Sequence, residues 1–105
     1  MKAGLNFHLA VKFDLSLDDV AKIEFIFAPQ ISTSNPQKYA VWPGDVTRKP
    51  GENVLLVPWT AVETRKFDGV FLMDTRITMR DSEDQPETPI IKLRMSHTLF
   101  EEGKV

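Results

Sequence analysis

The sequence predicts an all-β fold: an antiparallel β-sandwich of immunoglobulin-like size with one short helix near residues 61–66, folded as a single domain over residues 1–105. Three observations carry this expectation. Apolar and polar residues alternate over two long stretches, which is the period of a half-buried strand and not the three-and-four spacing of a helix. Turn signals built on Pro, Gly and Asp divide the remainder into short segments. One helix-start signature occurs, at Thr60–Glu63, and no strand-helix-strand alternation points to a parallel sheet. The Cys and Trp signature of true immunoglobulin domains is missing, so the expectation concerns architecture and not ancestry.

The first alternating stretch runs from Leu5 to Leu15. Its odd positions are Leu5, Phe7, Leu9, Val11, Phe13 and Leu15, and its even positions Asn6, His8, Ala10, Lys12 and Asp14. It exceeds the usual strand length of about five or six residues, so it is expected to bend or to serve two sheets. Ser16-Leu17-Asp18-Asp19 is turn chemistry, with Asp side chains able to accept from nearby amides. A second strand follows over about Lys22 to Ala28, with Ile23, Phe25 and Phe27 on one face and Lys22, Glu24 and Ile26 on the other. Pro29, Pro36, Pro43 and Pro50 recur at even spacing, but the residues between them do not resemble one another, and no repeat is read. Within this region Lys38 to Trp42 has a strand composition, and Pro43-Gly44 and Pro50-Gly51 mark turns.

Val54 to Val57 is a continuous apolar strand, expected to be central, which Pro58 ends or pushes to the sheet margin. The Thr60 hydroxyl can then accept from the amide of Glu63 while the Glu63 carboxylate reaches back to the amide of Thr60, starting a helix over Ala61 to Lys66. Asp68-Gly69 turns the chain into a second alternating strand, Val70 to Arg80. Phe71, Met73, Thr75, Ile77 and Met79 face one way, and Asp74, Arg76, Thr78 and Arg80 the other. A polar loop, Asp81 to Pro86, precedes a last strand over Ile90 to Ser96 with Ile91, Leu93 and Met95 inward. The acidic tail at Glu101-Glu102 is expected to fray.

Composition bounds the function classes. With 42% hydrophobic and 27% charged residues in 105, the chain has the profile of an ordinary globular domain, and no apolar run approaches the roughly 18 residues needed to cross a bilayer. The absence of Cys removes disulfides, thiolate metal sites and cysteine nucleophiles together, and suits a reducing compartment. The N-terminal residues lack the continuous apolar core of a signal peptide, so synthesis in the cytoplasm is expected. A net charge of −2 gives no overall attraction to nucleic acid or to an anionic membrane.

Candidate chemistry is sparse. His8 and His97 have no second His at metal-ligand spacing and are read as surface or rim residues. Asp81-Ser82-Glu83-Asp84 gathers carboxylates in a loop but lacks the spacing and glycine of a calcium hand, and is read as a solvated acidic loop. No nucleophile elbow, phosphate-binding loop or dinucleotide fingerprint is present, so neither catalytic residues nor a cofactor is expected. Two interaction candidates remain. If the last two strands form a hairpin, Arg76, Arg80, Lys92 and Arg94 come together as a basic sheet face for a polyanion or an acidic protein surface, although nucleic acid is not favoured because exposed aromatics for base stacking are not evident. Tyr39 and Trp42, on a proline-flanked strand, make a candidate aromatic platform for carbohydrate or protein. An exposed edge there could also add a strand from a neighbour.

Several segments carry a family resemblance: Ile23-Glu24-Phe25-Ile26-Phe27-Ala28-Pro29-Gln30, Val54-Leu55-Leu56-Val57 leading to Thr60-Ala61-Val62-Glu63-Thr64 and Phe67, Thr75-Arg76-Ile77-Thr78, and Thr98-Leu99-Phe100. Together they resemble a group of small proteins encoded in prophage structural gene clusters of Gram-positive bacteria, in which a strand leads into a T-x-E-E-T-x-x-F type turn and then into a strand containing an Arg. The chain departs from that pattern at Ala61-Val62-Glu63, where the cap is less acidic, and over Ile31 to Pro50, which is longer and richer in Pro. The resemblance implies a non-enzymatic virion or assembly protein, with other virion components or further copies of itself as partners and no membrane partner. A carbohydrate-binding or adhesion module and a polyanion-binding module are the alternatives.

Overall fold

The computed structural model describes residues 6–29, 37–67, 69–83, 85–86 and 88–95. Among these the elements are β1 (Phe7–Lys12), a single 3-10 turn (Leu17–Asp19), β2 (Val20–Pro29), β3 (Lys38–Trp42), β4 (Thr47–Arg48), β5 (Val54–Trp59), α1 (Ala61–Arg65), β6 (Gly69–Met79) and β7 (Ile91–Met95). The strands build two antiparallel sheets, a small one in the order β1-β5-β4 and a large one in the order β3-β2-β6-β7. The antiparallel two-sheet sandwich with one short helix is the architecture that the alternating stretches predict.

Apolar residues on the facing sides of the sheets make the core: Ile23, Phe25 and Phe27 of β2, Leu55, Val57 and Trp59 of β5, and Phe71, Met73 and Ile77 of β6 are all buried. Trp59 fixes how the sheets stack. Its ring lies 4.9 Å from that of Phe27 and 5.6 Å from that of Phe71, which sets β5 above the β2-β6 pair. Val11 and Phe13 share a cleft with Met73 and Ile91, so in the small sheet β1 lies toward β7, which leaves β4 on the β3 side.

Several boundaries differ from the sequence expectation, each for a local reason. The described part of the first strand is shorter than expected and joins one sheet: the ladder with β5 ends at Lys12, paired with Val54. Asn53 closes that end, its carbonyl accepting from the Phe13 amide at 2.9 Å and its side-chain oxygen from the Leu17 amide at 3.1 Å. In the following turn the hydroxyl of Ser16, and not an Asp carboxylate, accepts from the Asp18 amide, while the fully buried Leu17 draws the turn into the core. β4 has no counterpart in the sequence reading, because two residues paired with Leu55 and Leu56 are too short to leave a periodic signal.

β5 is the middle strand of its sheet, as expected, but Pro58 does not end it: Pro58 pairs with His8 and Trp59 with Phe7. β4 reaches only Leu55 and Leu56, so at Pro58 the strand has one open side, where a missing N–H is tolerated. The capping box forms as predicted. Glu63 N–H donates to Thr60 Oγ1 at 3.2 Å and Thr60 N–H to Glu63 Oε1 at 2.9 Å. Gly69, at φ +71°, takes the left-handed conformation that glycine adopts without steric penalty. The expectations that fall on Leu5, Asp68, Asp84, Ser96, His97 and the tail at Glu101 and Glu102 lie outside the described residues.

Candidate functional site

The predicted basic face does not assemble. β6 and β7 do form an antiparallel pair, but its register matches Gly69–Met73 with Met95–Ile91, so the hairpin covers only the first half of β6. Lys92 lies opposite Leu72 and Arg94 opposite Val70. Arg76 sits four residues further along β6, about 13 Å away at the rise of an extended strand, with Asp74 between and Glu24 as its cross-strand neighbour. Arg80 lies beyond the end of β6 and donates through Nε to the carbonyl of Val20 at 3.2 Å. Acidic neighbours and distance divide the four cations.

The aromatic platform is likewise divided. Residues three apart on a strand point to opposite faces. Trp42 pairs with the inward-facing Ile23 and packs against the core, whereas Tyr39 pairs with Ile26 on the outer face and is 55% exposed. There the Tyr39 hydroxyl donates to Glu24 Oε2 at 2.6 Å. That bond, ahead of the nearby Lys22 and Arg76 charges and against the effect of burial, holds the Glu24 carboxyl below the usual carboxylate range. The same bond to Glu24 raises the Tyr39 hydroxyl.

On the flank where β3 meets α1 the sandwich is closed around a charge. Lys38, inward on β3 and opposite Phe27, has a side chain only 5% exposed, and its Nζ lies 2.7 Å from Glu63 Oε2. The ammonium also stands 5.1 Å from the centroid of the Trp59 ring, within cation-π range. Glu63 thus uses one carboxylate oxygen to cap α1 and the other to neutralise Lys38. Burial pushes this carboxyl up, but the hydrogen bonds from Lys38 and from the Thr60 amide, together with the Lys38 charge, outweigh it and leave the group lowered. The sequence reading assigned Glu63 to the cap alone. The ion pair joins residues 25 apart in the chain, which no local pattern reports.

The opposite flank is open. Leu9, Val11, Phe13 and Leu15 face the core yet stay only half-buried, while Phe7 at the start of the row stacks on Trp59 at 5.7 Å. Across from them Ile91 pairs with the inward-facing Met73 but is 41% exposed, so the last strand is not inward along its whole length as predicted. Between the two rows runs a cleft of about 460 Å³, walled by Val11, Phe13, Leu15, Met73, Ile77 and Ile91. Lys12 and Asp14 stand at its mouth. Its floor carries a polar pair: Thr75 Oγ1 donates to Thr88 Oγ1 at 2.7 Å, and Thr88 Oγ1 donates to the Thr75 carbonyl at 2.8 Å. A shallower hollow of about 300 Å³ around Asp74, Arg76 and Gln85 is polar.

The apolar cleft is the stronger candidate, because water is displaced from it at a gain while two hydroxyls supply orientation. It holds no constellation for acid-base or nucleophilic chemistry, and among the described residues no group of three or more His, Asp or Glu is placed to hold a metal ion. None of its walls was singled out from the sequence. The odd-position row was read as core, and the number of strands opposite it was not legible. Among the described residues no helix is long and apolar enough to cross a membrane. Comparison of the chain with protein-family models, with curated proteins and with solved structures gives no match.

Proposed function

We propose that this chain is a non-enzymatic assembly protein that acts through protein-protein contacts, as a structural or morphogenesis component of a phage-like particle. The observation that carries the reading is the open flank: a row of partly buried core side chains and a 460 Å³ apolar cleft, surface of the kind that marks an interaction site on a small domain. The prophage resemblance of the segments around Val54–Phe67 and Thr75–Thr78 supplies the setting. The divided aromatic pair leaves a glycan platform on Tyr39 and Trp42 without a common face, and the divided cations leave the polyanion reading without a patch, so neither alternative is favoured.

Deleting the gene from its resident prophage, then inducing and imaging the particles, tests the reading. Loss of particle yield or altered morphology is expected. Normal particles at normal yield would overturn it.

A further inference from the structure

We propose that the free edge of β1 is a strand-addition site, filled by an extended segment of a partner protein whose alternate residues are apolar and whose outer face carries an acid level with Lys12. This rests on the reading of the chain as an assembly protein and names the surface it uses.

The four sheet edges are not equivalent. β4 has two residues, too short to template another strand. On β3, Val41 is already engaged: its amide donates to Asp45 Oδ2 at 3.2 Å and its carbonyl accepts from the amides of Asp45 and Val46. β7 carries Lys92 and Arg94 within five residues, the charged edge by which sheets resist pairing. β1 is the least protected of the four: its one charged residue, Lys12, stands at its end. Its centre reads His8-Leu9-Ala10-Val11, it runs unbroken through six residues, and among the described residues it pairs only with β5.

The space beside that edge has the shape of a missing strand. Among the described residues four strands face three. With β5 above the β2-β6 pair, the shortfall lies over β7, which is where Ile91 and the inward row of β1 are left part-exposed. A strand laid along β1 would satisfy the outward-pointing amides and carbonyls of Phe7–Lys12 and send every second side chain into the cleft. Most of those side chains should be apolar, because Val11, Phe13, Leu15, Met73, Ile77 and Ile91 dominate the lining, with Thr75 and Thr88 its polar exception. The intervening side chains line up with His8, Ala10 and Lys12 on the solvent face. Lys12 has no ion-pair partner among the described residues, and Asp14 lies past the last paired position, so an acid opposite Lys12 completes the match.

A second copy of the chain does not fit this edge. Two-fold pairing of β1 with its counterpart would bring β7 of both copies into the same volume beneath the joint, whereas a single strand arrives with no sheet under it. The chain's own residues 96–105 do not fit the pattern either, since Leu99 and Phe100 are adjacent and are followed by Glu101 and Glu102.

The test titrates the isotope-labelled full chain with the peptide acetyl-Glu-Val-Thr-Val-Asp-Val-Thr-Val-Glu-amide, read by amide chemical shifts. Shifts concentrated on residues 7–12, Thr75 and Ile91 are expected. Two N-methylated forms, each blocking one edge of the peptide, separate backbone pairing from adhesion: one should lose at least about tenfold in affinity and the other keep it. Lys12→Glu should weaken binding about threefold and Ile91→Arg about tenfold; should either variant fail to fold, the N-methylated peptides carry the test on the unaltered chain. No shift at about 1 mM peptide, equal binding by both methylated forms, or shifts centred on β3 would overturn the proposal. So would a concentration-dependent dimer in light scattering, or a chain shortened after Met95 that binds about tenfold tighter than the full one, which would make the tail the occupant. None of these outcomes depends on the particle, so failure here leaves the assembly role to be judged by the gene deletion.

Discussion

The two flanks of the sandwich are written in the same alternating code and end differently. On the closed flank Trp59 is 2% exposed among the rings of Phe7, Phe27, Phe67 and Phe71, and even a lysine is buried because Glu63 neutralises it. On the open flank Leu9, Val11, Phe13 and Leu15, apolar and strictly inward in period, remain half-buried. Period two fixes which face a side chain points to. Burial on that face needs something opposite, and the small sheet stops before it covers β7. Inward-facing and buried are therefore separate properties, and the difference between them is where this protein has surface to offer.

The largest effects should come from breaking the closed flank. Trp59→Ala removes the ring on which the two sheets stack and is expected to cost about 4 kcal/mol, measured by urea unfolding at neutral pH. Next is Glu63→Gln. It strands the buried Lys38 ammonium without a counter-ion; because the Glu63 side chain is itself 29% exposed and water can reach the gap, the cost falls below that of a fully buried pair, to about 2 kcal/mol. Lys38→Met combined with Glu63→Gln should recover most of that loss, since an apolar side chain suits the site beside Trp59. Recovery of none of it would mean that the charge was not the source of the cost. The pair also sets an acid limit. Folding holds the Glu63 carboxyl below its usual range, so once that range is reached the unfolded chain binds a proton more readily than the folded one. Stability should be complete above the ordinary glutamate range and be lost as pH falls below it, and unfolding midpoints against pH should show this acid slope weakened in Glu63→Gln.

How much of this was legible before the structure depends on the range of the interaction. Thr60 and Glu63 announced the helix start because both halves of the cap lie within three residues. Phe71, Met73 and Ile77 announced a core face because periodicity is local. The offset of β7 along β6 was not legible: the loop after Met79 determines register, and the sequence alone does not say that Ile91 meets Met73. That one offset scattered Arg76, Arg80, Lys92 and Arg94. Tyr39 and Trp42 could have been separated in advance, since a spacing of three on a strand always divides a pair. The cleft, built from β1, β6 and the approach to β7, depends on which sheet each strand joins, and strand composition does not encode that.

Smaller effects sharpen the comparison. Thr60→Ala should cost about 1 kcal/mol through the lost cap and leave peptide binding at the β1 edge unchanged in the folded protein, because the cap belongs to the closed flank. A variant of normal stability that no longer binds would show that the two flanks are coupled.

The smallest expected effect tests the open flank most directly. Ile77 and Ile91 both line the cleft and both face inward, but Ile77 is 1% exposed and Ile91 41%. Ile77→Thr places a hydroxyl where water does not reach and removes a buried methyl, at about 2 to 3 kcal/mol. Ile91→Thr keeps the β-branched shape, lets its hydroxyl meet water at the cleft mouth, and should cost about 0.5 kcal/mol. Equal costs for the two, read from parallel denaturation curves, would mean that Ile91 is covered in the free protein and that the gap over β7 is already filled. The predicted inequality means that the missing strand is still to be supplied.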